Sequence, residues 1–158
     1  MGDASSPRRE LWTCPRCGHG FVTRDIWHSC TRIDLDAAFV RSAPAVRQAF
    51  DRYVDMVARC GPVTVIAQKS RIVIMGRVRF AGVQVRRDHL VASFALTRRL
   101  ADPRFRIETL SERWNAHRFI VRGPADLDFD GLTDWLCESY RDLGIQSAPS
   151  KRRRSGGS

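Results

Sequence analysis

Lysine is nearly absent from this chain: of its 27 basic residues only Lys69 and Lys151 are lysine, and the other 25 are arginine. A PD-(D/E)xK nuclease needs an acid two residues before its lysine, to bind metal and activate water. Ile66-Ala67-Gln68 precedes Lys69 and Pro149-Ser150 precedes Lys151, so neither qualifies. The GxxxxGK[ST] phosphate loop, the HExxH metalloprotease helix and the GxSxG nucleophile elbow are missing too. Long apolar runs are lacking as well. No stretch approaches the roughly 20 residues that cross a bilayer, so no membrane partner is expected. The opening MGDASSPRRELW is polar and charged, which argues against a signal peptide. The expectation is a cytoplasmic protein.

Acidic residues are the scarcer charge, 17 against 27, for a formal net charge of +10. Such an excess favours polyanionic partners, nucleic acid first among them. The charges are also segregated. Lys69 to Arg106 holds ten basic residues against Asp88 and Asp102, whereas Asp126 to Asp142 holds six acids against Arg141 alone. The centre of the chain is its basic pole and the last helical segment its acidic one. Solvated turns account for much of the basic run. Arg71, Arg79 and Arg118 lie in strand-like stretches and are better placed to share one face.

What is present divides the chain into four parts: a disordered lead-in over 1–10, a zinc knuckle over 11–33, an α+β domain over 34–145, and a disordered basic tail over 146–158 that carries Lys151-Arg-Arg-Arg154. With 158 residues, 43% of them hydrophobic, there is material for one domain with its own core plus a small appendage.

The appendage carries the strongest local chemistry. Cys14 and Cys17 form a C-x2-C pair, and His28 and Cys30 follow ten residues later. Zinc takes four tetrahedral ligands from thiolate and imidazole, and a turn with two cysteines offers both sulfurs to one ion. His19 stands beside the knuckle as a competitor, but His28 is favoured because Cys30 closes a second two-ligand turn with it. Four protein ligands leave no position for water, so one structural Zn²⁺ is expected rather than a catalytic one. Pro15 restrains the turn, and Gly18 suits the positive φ that a tight knuckle requires.

The hydrophobic period identifies the rest. A short helical turn covers Asp34–Val40. Val46, Phe50, Tyr53, Val54 and Val57 then recur at helical spacing, with Ser42 as cap, Pro44 in the first turn and Cys60-Gly61-Pro62 as the stop, an αL glycine followed by proline. Cys60 reads as core filler. From Val63 the period drops to two, giving strand-length runs at Val63–Ile66, Arg71–Met75, Val78–Val85, His89–Leu96, Phe105–Thr109 and His117–Val121. A final helix over Leu127–Leu143 presents Phe129, Leu132, Trp135, Leu136, Tyr140 and Leu143 on one face. The expected fold class is α+β: an antiparallel meander of five or six strands packed with an N-terminal and a C-terminal helix, preceded by the knuckle.

These stretches, WTCPRCG…WHSC, a helix ending in CGPV, KSRIVI, RVRFAGV, PRF and HRFIV…PADLD ahead of a Trp-Leu helix, resemble the domain of unknown function 5655 family over Trp12 to Leu143. The resemblance implies zinc on Cys14, Cys17, His28 and Cys30, marks Lys69, Arg71 and His117 as positions of the family's pattern, and implies no activity. Related domains stand beside nuclease-like modules, which agrees with a nucleic-acid partner.

No residue is assigned a catalytic role. The expected function is a zinc-binding, non-enzymatic module that holds nucleic acid on a basic sheet face, using Lys69, Arg71, Arg79, His117 and Arg118, and on its knuckle. The alternative is a small-anion or small-molecule pocket around Lys69, Arg71 and His117, with His117 as a general base if that pocket is enzymatic.

Overall fold

The computed structural model describes residues 11–18, 20–22, 24 and 34–146. The expected lead-in, His19, His28, Cys30 and Lys151–Arg154 lie outside the described residues.

The first described element is a two-stranded hairpin, β1 (Trp12–Thr13) and β2 (Gly20–Phe21), with Cys14 and Cys17 in its connection. A 3-10 turn over Asp36–Phe39 leads into α1 (Pro44–Ala58). Six strands follow: β3 (Thr64–Ala67), β4 (Ile72–Met75), β5 (Arg79–Val85), β6 (Leu90–Leu96), β7 (Arg106–Thr109) and β8 (Asn115–Val121). A second 3-10 turn, Pro124–Leu127, precedes α2 (Leu132–Ser139), which ends in a π turn over Tyr140–Gly144. The architecture is α+β: a six-stranded antiparallel sheet, a two-stranded sheet and two helices. No helix among the described residues is long and apolar enough to cross a membrane.

The strand order β3-β4-β5-β6-β8-β7 departs from a simple meander at its end. After β6 the chain runs to the sheet edge, forms β7, and returns so that β8 pairs along all seven residues of β6. The reason lies in composition. β8 carries His117, Phe119 and Val121 on its inward face and earns an interior place, whereas charged Arg106 and Glu108 suit an edge.

Helix α1 buries Val46, Ala49, Phe50, Tyr53 and Val57, the expected stripe. Its cap differs from expectation. Ala43 occupies the N-cap, and the Ser42 hydroxyl donates instead to the Arg86 carbonyl at 3.0 Å. With Pro44 at the first position, one of the first turn's unpaired N–H groups does not exist. Gly61 ends the helix without the expected αL geometry: its φ is 156°, and a Cβ there would collide with the Tyr140 hydroxyl. Cys60 is not simple core filler. It forms a disulfide with Cys137 of α2, at a Cα–Cα distance of 5.0 Å, and so ties the end of one helix to the other.

Both helices cover one face of the sheet, where Ile72, Ile74, Val83, Leu90, Phe94 and Phe119 meet Phe50, Tyr53, Leu132 and Leu136 in a single core. Each large apolar side chain buried there contributes about 1.5–3 kcal/mol from water exclusion. The final helix is shorter than the expected 127–143 span because Gly131, at φ 94°, breaks it from the preceding turn. Trp135 is half-buried at the rim against Phe105 and Phe129, not enclosed as Phe50 is.

A β-bulge decides which arginine faces where. Ile74 pairs with Ala81, yet Met75 pairs with Arg79, so Phe80 is the extra residue. Phe80 and Ala81 both turn into the core, and the alternation is reset. Arg79 thereby emerges on the same face as Gly82 and Gln84. On the core side the Ser139 hydroxyl, buried in α2, donates to the Ala95 carbonyl at 2.6 Å and lies 3.4 Å from that of Phe80, seating α2 on the bulge.

Candidate functional site

The face opposite the helices carries a continuous cross-strand row: Ile66, Val73, Gly82, Ser93, Arg118 and Arg106, one residue from each strand. Its middle is a groove of about 160 Å³. Small residues make the floor. Gly82 has none of the bulk of its neighbours, and a Cβ at that position would stand 2.9 Å from the Ile72 carbonyl oxygen, so the backbones approach too closely for a side chain. Ser93, Ala95 and Ala116 extend the floor, while Val73, Val91 and Leu110 form apolar walls. The Ser93 hydroxyl donates to the Gly82 carbonyl at 3.3 Å.

Arg71, Arg79 and Arg118 frame this groove. Arg71 enters just before β4 and its Nε donates to Gln68 Oε1 at 3.3 Å. Arg79 is placed by the bulge. Partial burial, and then the like charge of Arg71, lower the pKa of its guanidinium below the usual arginine value. Among the described residues neither Arg71 nor Arg79 has an acidic partner, whereas Arg118 pairs with Glu108 at 2.6 Å. Two guanidinium charges therefore face the groove unopposed, and the third is already neutralised.

The remaining expected site residues lie elsewhere. Lys69 is exposed in the turn between β3 and β4 and does not line the groove. His117 is on the helix-covered face, with no exposure. Its Nε2 accepts the Leu100 N–H at 3.0 Å, and its Nδ1–H donates to the Asn115 carbonyl at 3.1 Å. The ring stacks on Phe94 at 5.4 Å between centroids and 7° between planes. Burial lowers its pKa, with the Asn115 contact opposing and Arg98 and Arg99 adding to the shift. Both nitrogens are occupied within the core. The sheet itself separates His117 from Arg71, so the structure does not bring the Lys69–Arg71–His117 grouping together.

Beside the groove, on the same face, Cys14, Cys17 and Phe21 form a second small core with Trp12, Ile66 and Met75. The Thr64 hydroxyl donates to the Gly20 carbonyl and fastens the hairpin to β3. Cys14 and Cys17 are 4% and 7% exposed and lie outside the Cys60–Cys137 disulfide. Gly18 follows at φ 75°, its N–H donating to the Cys14 carbonyl at 2.8 Å, the tight turn that the glycine was expected to permit. Two buried thiols on one turn, walled by apolar groups, suit half of a tetrahedral zinc set. Among the described residues no group of three or more metal-ligating side chains comes together; His28 and Cys30 are not among them.

Sequence reasoning missed the floor. Gly82 inside a strand pattern is a signal of close backbone approach, and it marks the groove. Ser93, Ala95 and Ala116 carry no comparable signal.

A family model described as Domain of unknown function (DUF5655) matches residues 36–142. That span begins after the cysteine segment and is shorter than the Trp12–Leu143 stretch over which the residues suggest a resemblance. No curated protein and no solved structure matches the chain.

Proposed function

The chain belongs to the domain of unknown function 5655 family, whose description assigns no activity, and from its exposed sheet face we propose that it is a non-enzymatic module that binds nucleic acid as a polyanion. One observation carries this reading: Arg71, Arg79 and Arg118 share an open groove on the face that the described helices leave uncovered, two of them without an acidic partner among the described residues. Arginine suits the role because its planar guanidinium meets phosphate oxygens in a two-pronged contact. Phe80 and Phe94 are buried in the core, so their rings do not offer base stacking there. Binding through phosphates without stacking predicts little sequence preference.

The hairpin fits the same reading. Cys14 and Cys17, with His28 and Cys30, hold one structural Zn²⁺ that stabilises a segment too short to fold on its own apolar surface. The small-anion alternative around His117 has less support, since that histidine is enclosed on the other face.

Titration of a labelled duplex at several salt concentrations tests the proposal. Two arginine–phosphate contacts give a log–log slope of about −1.8, and Arg71→Ala with Arg79→Ala removes most of it. Salt-independent binding, or no binding at low salt, overturns the reading.

A further inference from the structure

We propose that the depression at the centre of this face is a seat for the terminal phosphate of a nucleic-acid strand. The inference rests on the polyanion reading above and narrows it to one chemical group. Size is the first reason. The groove holds about 160 Å³, which admits a phosphate group. An internal phosphodiester carries a sugar on both sides, whereas a terminal phosphate carries one and enters the depression end-on.

Charge is the second reason. Among the described residues Arg71 and Arg79 face the groove without acidic partners, while Glu108 neutralises Arg118. The unopposed charge of two matches a phosphate monoester, which carries about −1.5 to −2 near pH 7, better than a diester, which carries one. Partial burial, and then repulsion from Arg71, already disfavour the charged form of Arg79. A dianion between them relieves that repulsion.

The test uses the full chain and one single-stranded sequence made in three forms: 5′-phosphorylated, 3′-phosphorylated, and with hydroxyls at both ends. Anisotropy titrations at fixed low salt compare them. Charge-assisted contacts of about 1.5–3 kcal/mol correspond to at least about tenfold, so at least one phosphorylated form binds about tenfold more tightly than the hydroxyl form. Arg71→Ala and Arg79→Ala, exposed positions whose loss leaves the core intact, each reduce that advantage. Excess inorganic phosphate at constant ionic strength removes it and leaves the residual binding. Equal, salt-dependent affinity for all three strands overturns the seat while leaving the polyanion reading in place. No affinity for any strand overturns both. Calorimetric binding of inorganic phosphate by a chain that ignores every strand also overturns the proposal, and assigns the groove to a free phosphorylated small molecule.

Discussion

Replacing His117 with phenylalanine separates a core histidine from a reactive one. The variant keeps an aromatic ring to stack on Phe94 but removes two hydrogen bonds, from the Leu100 N–H at 3.0 Å and to the Asn115 carbonyl at 3.1 Å. An N–H buried without a partner costs about 1–3 kcal/mol, and the second bond adds about 1. The expected loss is therefore about 2–4 kcal/mol at pH 7.5, read from urea titrations of both proteins. The pH dependence gives a second readout. Burial holds the folded-state pKa of His117 below its unfolded value near 6.5. As pH falls, the unfolded chain takes the proton first. The neutral histidine's contribution is thus full above about pH 6.5 and declines by at most about 1.4 kcal/mol per pH unit below it, levelling once the folded value is passed. The difference between wild type and variant narrows from pH 7.5 to 5.5. A loss under about 1 kcal/mol, or a difference that widens on acidification, refutes the assignment of a neutral, doubly bonded core histidine.

Two further outcomes follow from the packing and from the cysteine turn. Phe50→Ala costs about 3–5 kcal/mol in denaturant titration, because Phe50 is 2% exposed and abuts Phe39, whereas Trp135→Ala costs less, since Trp135 stands half-buried at the rim; equal losses contradict the placement of α2. The reduced protein carries one zinc by elemental analysis, and Cys14→Ser releases it while the main domain still unfolds cooperatively; retention of a full equivalent by that variant rules out Cys14 as a ligand.

Much of the fold is legible because its signals are local. Val46, Phe50, Tyr53 and Val57 repeat at helical spacing, and the six strand runs alternate between two faces. A strand's period of two assigns each residue to one of two sides without reference to any partner. The basic character of the face was legible for the same reason: Arg71 and Arg118 stand in or beside strands whose apolar neighbours must turn inward. The π turn after α2 and the place of β8 between β6 and β7 were not, since both depend on which surfaces meet.

By itself, then, the sequence determined the α+β class, the position of the first helix and of the strand runs, the glycine-permitted cysteine turn and the polarity of charge along the chain. Each follows from spacing, chain stiffness or composition within a few residues. Only the tertiary structure decided that Arg79 faces out, because one extra residue at Phe80 resets the alternation. It likewise decided that His117 faces in, that Cys60 meets Cys137, and that Gly82, Ser93, Ala95 and Ala116 lie together beneath three arginines. Those residues come from separate strands, and register, a property of pairing between distant segments, is what makes them neighbours.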